Sequence, residues 1–239
     1  MGREDSFSKP GGQQSDFSGR IAPLLSRTEC RLASSSESRQ AIFHLRYQAY
    51  KRAGRIPADS LTTLADPFDV MGNVYLLGMY CDDKLASSIR LHVATEGRPI
   101  SPSLEVFPDV LRPELDAGKT IIDCTRFVAD ENFARRYSGL PYATLRLCIL
   151  AAEQFNADLL LMTSGAEHRI FYQRAFNYRP RSEPRPYSHV AKPMTLMALN
   201  FPTASAQLHQ RYPFLNSTSL ERNRVFTRPV GGQPASKVN

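Results

Sequence analysis

The stretch Ile121–Leu147, "IIDCTRFVADENFARRYSGLPYATLRL", decides the fold. Its first third is apolar and β-branched, and "TIIDCTRFVA" reads as a strand. Its last third opens a helix, "LPYATLRLCILAAEQFNAD", with Pro141 in the first turn and Leu145, Ile149 and Ala152 on one stripe. An arginine-rich loop joins the two. A strand that only fills a core needs no charge, yet this one carries Asp123 and Arg126. Side chains three apart on a strand point to opposite faces, so both reach one cleft only if the strand bulges or splays between them.

The elements on either side complete the pattern. Downstream come "ADLLLMT", wholly apolar as in a strand covered on both faces, then a helix "AEHRIFYQRAF" and a strand "KPMTLMALN". Upstream, "SESRQAIFHLRYQAYKRAG" is helical, with Ala41, Ile42, Leu45 and Ala49 on one face and Gly54 to close it. The loop "IPADSLTTLADPFDV" follows it. The strands "VYLLGMY" and "LASSIRLHV" are joined by "CDDK", a plausible hairpin turn. "SPSLEVFPDVLRPELDAGK" reads as irregular, with a short helix after Pro108. The order is helix, hairpin, strand, helix, strand, helix, strand, which a mixed sheet flanked by helices accommodates in an α/β fold. The expected organisation is a disordered tail over 1–28, one domain over 29–202 and a flexible tail over 203–239.

The chain has 239 residues, 42% hydrophobic, enough for one domain with a substantial core. Its net charge of +7 favours an acidic partner: nucleic acid, an anionic membrane, a phosphorylated cofactor or an acidic carrier protein. Cys30, Cys81, Cys124 and Cys148 have neither zinc-ligand nor disulfide-framework spacing, so no metal and a reducing compartment are expected. The N-terminus has no apolar signal core, and the longest apolar runs are far too short to span a bilayer. A cytoplasmic protein without a transmembrane segment is the expectation.

The order of strand, basic loop, helix, apolar strand and "HRIFYQRAFNY" resembles the core of the GNAT acyltransferase superfamily, with Ala175 where its FY-x-R-x-GF element has glycine. The N-terminal half resembles the acyl-homoserine lactone (autoinducer) synthases and the related N-acyl amino acid synthases. "LRYQAYKRAGRI" supplies Arg46 and Tyr50 as an R-x-x-x-aromatic pair, "DPFD" supplies Asp66 and Asp69, and "SIRLH" supplies Arg90. "DCTRF" resembles the E-x-x-RF motif, with Asp123 in place of glutamate. The resemblance runs from about Ser36 to Asn200. The chain has no tryptophan, which lactone synthases usually carry after the first pair; that and Asp123 favour the N-acyl amino acid synthase branch.

That branch implies transfer of a long acyl chain from acyl carrier protein to the α-amino group of an amino acid, with no bound cofactor. Asp123 is the candidate to take the amine's proton, or it forms an ion pair that organises the strand. Arg126 and Arg90 suit an amino-acid carboxylate, or they pair with Asp66 and Asp69 in a nearly self-neutral network that includes Arg46. Arg135, Arg136, Ser138 and Gly139 offer a phosphate site at a helix start for the phosphopantetheine arm, or an ordinary helix cap. This loop holds one glycine, which favours the single phosphate of that arm over the pyrophosphate of CoA. Arg169 and Arg174 lie in a segment that fits an acidic carrier surface. An acyl tunnel is placed between the central helix and the sheet at Leu145, Ile149 and Leu160. Tyr172 resembles the family position that protonates a leaving thiolate, and is equally a core tyrosine. The rival readings are a lactone synthase using S-adenosylmethionine, an acetyltransferase using acetyl-CoA, and a basic binding module without catalysis; nucleic acid is not the expected partner.

Overall fold

The computed structural model describes residues 19, 21–56, 62–187 and 190–227. Of the tails expected at 1–28 and 203–239, residues 1–18, 20 and 228–239 lie outside them, as do residues 57–61 of the loop after the first helix.

β1 (Thr28–Leu32) leads into α1 (Ser36–Arg52), which starts at a reciprocal cap between Ser35 and Ser38. A single 3₁₀ turn, Pro67–Val70, precedes the hairpin of β2 (Val74–Cys81) and β3 (Lys84–Ala94). The hairpin turn places both Asp82 and Asp83 in the left-handed region, at φ 50° and 61°. That backbone matches the twist of paired strands. Next come α2 (Pro102–Val106) and α3 (Pro108–Asp116), where the sequence pattern had suggested one short helix. β4 (Ile121–Ala129), α4 (Glu131–Arg136), α5 (Leu140–Gln154), β5 (Leu159–Ser164) and α6 (Ala166–Phe176) follow. The chain continues through β6 (Arg179–Pro180), β7 (Arg185–Tyr187), β8 (Val190–Asn200), α7 (Phe201–Arg211) and α8 (Ser219–Phe226).

The strands form one sheet in the order β1-β2-β3-β4-β5-β8-β6, with β7 also paired to β8. Among the described residues only β4 and β5 run parallel; the other pairs are antiparallel. The period-2 alternation sorts side chains between two cores. Ile122, Cys124, Leu160 and Met162 face α5 in the larger core, while Ile121, Leu159 and Leu161 face α2 and α3. α1 covers the same side as α2 and packs Ile42 and Phe43 on Leu76.

The folded unit is longer at both ends than the expected 29–202. Ile21 and Leu24 are buried, and Ile21 Cγ1 stands 3.1 Å from where a Cβ on Gly139 would sit, so glycine permits that approach. At the other end Leu208, Tyr212, Leu215, Val225 and Phe226 are buried in the larger core. Arg146 on α5 pins this segment, donating to the carbonyls of Phe214 (2.6 Å) and Asn216 (2.7 Å) and to Glu221. The apolar positions of 203–226 are sparse, so composition alone resembled a tail.

Two local features shape the site. Opposite Ile89, β4 carries an extra residue, because Ser88 pairs with Val128 while Arg90 pairs with Thr125. Arg126 sits in this bulge at φ 55°, a costly backbone for a residue with a Cβ. β4 and β5 also part company. Their pairing ends at Cys124–Met162, while β4 stays with β3 to Ala129 and β5 stays with β8 to Ser164.

Candidate active site

The splay between β4 and β5 opens a cavity of about 610 Å³. Its wall is apolar along Cys124, Val128, Met162, Phe171 and Tyr172, and polar at Arg90, Thr125, Arg126, Thr163 and Tyr187. Beyond Cys124 the amide and carbonyl groups of β4 that do not face β3 have no β5 partner, so they line the gap.

The bulge turns Arg126 toward the face shared by Thr125 and its register partner Arg90. There the sequence-selected charges meet. Arg46 donates to both oxygens of Asp69 at 2.8 and 2.9 Å. Arg90 bridges Asp66 (2.5 Å) and Asp69 (3.0 Å), and its Nε donates to Thr125 Oγ1 at 3.0 Å. Arg126 grips Asp66 through Nη2 (2.7 Å) and Nε (3.2 Å). The 3₁₀ turn fixes the two acids: the Asp66 carboxylate accepts from Phe68 N–H and the Asp69 carboxylate from Asp66 N–H. Tyr50 sits one helical turn beyond Arg46 and places its ring 5.2 Å from the Arg126 guanidinium.

Three guanidinium groups against two carboxylates leave this network one unit positive. Burial pulls the Arg46 pKa down to about 10 against the pull of Asp69, which still leaves it charged at neutral pH. Burial raises the Asp66 pKa, but Arg90 and Arg126 outweigh it and hold the carboxyl at about 2. Burial lowers the Arg126 pKa, and Tyr50 and Asp66 more than reverse it. Among the described residues Arg126 Nη1 makes no hydrogen bond at normal geometry, with the Tyr50 side chain beside the guanidinium. Of the network only Arg90 and Arg126 reach the cavity wall, beside Tyr50.

Asp123 stands apart. Its side chain is 0% exposed and does not line the cavity. Its oxygens accept from Ser103 N–H (2.9 Å) and Ser103 Oγ (2.8 Å) on α2. Burial raises its pKa, opposed by these bonds. The direct ion pair with a neighbouring arginine that its position in the strand suggested is not formed.

The tunnel positions fall elsewhere too. Leu145, Ile149 and Leu160 are buried between α5 and the sheet, and the cavity wall on that side is Cys124, Met162, Phe171 and Tyr172. The α4–α5 junction adjoins the cavity through Ala134 and Pro141. Arg135 pairs with Glu131, Arg136 lies over Tyr137, and Ser138 is exposed. Gly139 caps α5 without a side-chain bond, Leu140 N–H donates to Tyr137, and Pro141 has no N–H, so this helix start keeps few free donors. Arg169 and Arg174 lie on the outer part of α6, half-buried and exposed.

Sequence reasoning missed four residues. Arg52, the last residue of α1, and Arg55 just beyond it line the cavity and tie it to Glu131 and to Glu167. Ser103 and Tyr187 come from segments whose patterns gave no regular element.

The model of the family described as N-acyl amino acid synthase FeeM matches residues 41–200. Among solved structures, FeeM, an N-acyl amino acid synthase from uncultured soil microbes, aligns with a TM-score of 0.64 at 17% identity, covering 80% of this chain and 99% of its own. BjaI, a CoA-dependent acyl-homoserine lactone synthase, gives 0.56 at 14% identity over 78% of this chain and 89% of its own. The lactone synthase LasI gives 0.54 at 14%, over 75% and 94%. A search of curated protein sequences returned no match.

Proposed function

The chain belongs to the FeeM family of N-acyl amino acid synthases, and from that premise we propose that it moves a long acyl chain from a carrier thioester to the α-amino group of an amino acid. The observation that carries this reading is the cavity itself. One wall is apolar and suits an acyl chain; the other presents Arg90 and Arg126 from a network one unit positive. A guanidinium fork matches a carboxylate, and Arg126 Nη1, without a hydrogen bond at normal geometry among the described residues, can take one. The acceptor is then a free amino acid held by its carboxylate.

In this reading the acyl chain lies along Cys124, Met162, Phe171 and Tyr172, and the thioester carbonyl meets the open edge of β4. Backbone N–H groups there are already oriented toward the gap, as stabilisation of a developing oxyanion requires. Fixing amine and thioester in one cavity makes their reaction effectively intramolecular. The amine lone pair forms the C–N bond, and collapse of the tetrahedral species breaks the C–S bond. Burial raises the Tyr172 pKa, so its phenol stays protonated at neutral pH and can donate a hydrogen bond to the departing thiolate, which takes its proton from the amine.

The donor is acyl carrier protein, whose phosphopantetheine arm enters past Ala134 and Pro141. Arg135, Arg136, Ser138 and Gly139 flank that entry, and Arg169 and Arg174 present positive charge to an acidic carrier. BjaI is a CoA-dependent synthase, so acyl-CoA is the comparison donor. Steady-state kinetics with both donors test the choice. The carrier-bound acyl group is expected to give the higher kcat/KM, and Arg169→Glu/Arg174→Glu to lower it for that donor alone. Equal values for both donors, unchanged in the variant, would remove the carrier protein from the account.

A further inference from the structure

Asp123 is buried behind Ser103 on α2, and β7, which packs on α2, brings Tyr187 to the cavity wall. Ser103 is itself 0% exposed, and its Oγ proton is committed to Asp123 Oδ1 at 2.8 Å. A serine hydroxyl so engaged keeps lone pairs to accept a second bond. Tyr187 on β7 lines the cavity, and its ring packs on the cluster that holds Leu104 and Phe107. Its hydroxyl is buried and makes no hydrogen bond at normal geometry. Burial raises its pKa, Asp123 adds to this, and the nearby side chains of Thr163 and Ser103 oppose it. A buried phenol left unpaired is costly unless a ligand completes it.

We propose that Tyr187 is a catalytic residue of the acyl transfer, accepting the amino acid's ammonium proton at Oη while its own proton passes through Ser103 Oγ to Asp123. The proposal rests on the acyl-transfer reading above. The ammonium N–H breaks and Tyr187 Oη gains that proton. The Tyr187 proton moves to Ser103 Oγ, and the Ser103 proton moves to Asp123 Oδ1. The neutral amine then attacks the thioester carbonyl carbon. Collapse expels the thiolate, which takes the second amine proton, and Asp123 returns the first to solvent. Asp123 and Ser103 act through Tyr187 and touch no substrate. The charged and titratable groups that face Asp123 are Arg90 and His92 from β3 and Tyr187 from β7; α2 brings Ser103 and β5 brings Leu161. His92 donates from Nε2 to the Phe68 carbonyl and burial holds its pKa at about 4, so it is neutral over the working range.

The test uses the purified full chain, a long-chain acyl thioester donor and a mixture of the common amino acids, with product identified by mass spectrometry and rate read from thiol release. Wild type must first form an N-acyl amino acid; if it forms none, the acyl-transfer reading falls and the relay with it. Given that activity, Tyr187→Phe removes only an unpaired hydroxyl and should melt with wild type. It is expected to lower kcat on the order of 10²-fold, far more than it raises the acceptor KM. Ser103→Ala keeps the backbone N–H to Asp123 and should abolish the acid limb of the kcat–pH profile, while Ser103→Thr restores it. An active wild type whose Tyr187→Phe and Ser103→Ala variants keep kcat within about twofold, with the acid limb intact, would overturn the relay and leave the acyl-transfer reading standing. A large loss in Tyr187→Phe with an unchanged Ser103→Ala profile would also overturn it, since the proton then does not travel to Asp123.

Discussion

Replacing Asp69 by asparagine removes one negative charge from the hub of the buried network at almost constant shape. Asp69 is 1% exposed and accepts from Arg46, Arg90 and the Asp66 amide. Among the described residues it is the carboxylate paired with Arg46, which is 0% exposed and already leaves Nε and Nη2 without partners. The substitution takes the network from one unit positive to two. Removing one partner of a buried ion pair costs about 3–5 kcal/mol, because the other charge stays buried uncompensated. Domain stabilities are about 5–15 kcal/mol, so this is a large share. At roughly 2–4 °C per kcal/mol for a chain of this size, the melting temperature should fall by roughly 6–20 °C. Urea and thermal melts followed by far-ultraviolet circular dichroism suit a chain without tryptophan. Arg46→Met in the Asp69→Asn background, which removes the stranded charge, should recover part of the loss. A loss below about 1 kcal/mol in Asp69→Asn would refute the claim that this pair is buried and mutually dependent.

The remaining predictions concern substrate, chain length and pH. Arg126→Ala should raise the acceptor KM roughly 10- to 100-fold, the worth of a charged hydrogen bond of about 1.5–3 kcal/mol, with the donor KM nearly unchanged; initial-rate kinetics separate the two. Met162→Trp should shift activity toward shorter acyl chains, since Met162 forms the cavity wall. Ile149→Trp, away from that wall, should cost about 1–3 kcal/mol by overpacking and leave chain preference unchanged; the reverse pattern in an acyl-length series would move the tunnel back between α5 and the sheet. His92 is neutral when folded, its pKa lowered from 6.5 to about 4 chiefly by burial and next by Arg90. The unfolded chain therefore binds the proton first, and stability present above pH 6.5 is lost as the pH falls toward 4, by about 3 kcal/mol. Urea midpoints across that range should fall less steeply in His92→Gln.

Much of the fold was legible because local chemistry and tertiary packing agreed. "CDDK" reads as a tight turn, and both central aspartates adopt the left-handed backbone such a turn needs. "AEHRIFYQRAF" is the helix Ala166–Phe176 to the residue. β1 was not legible: "TECRL" exposes Glu29 and Arg31, and only pairing with β2 makes it a strand. The C-terminal helices were missed for a related reason, since Arg146 and the surface of α5 hold them in place. In the site, Arg46, Asp66, Asp69, Arg90 and Arg126 could be listed from motifs, and the structure brings them together. Their geometry could not be read, because it depends on a bulge set by the pairing of β4 with β3. For Asp123 the sequence suggested a neighbouring arginine as partner, not Ser103. Ser103 lies 20 residues upstream, in a stretch whose periodicity is too short to mark a helix.

Mass spectrometry of lipid extracts from bacteria expressing the chain, beside cells expressing Asp123→Asn/Arg126→Ala, tests the central claim most directly. The account predicts a new fatty amide that carries an intact amino acid with a free carboxylate, absent from the variant. A lactone that alkali opens would contradict it and move the chain to autoinducer synthesis. No new acylated species in the strain expressing the wild-type chain would contradict the transfer of a long acyl chain to an amino acid.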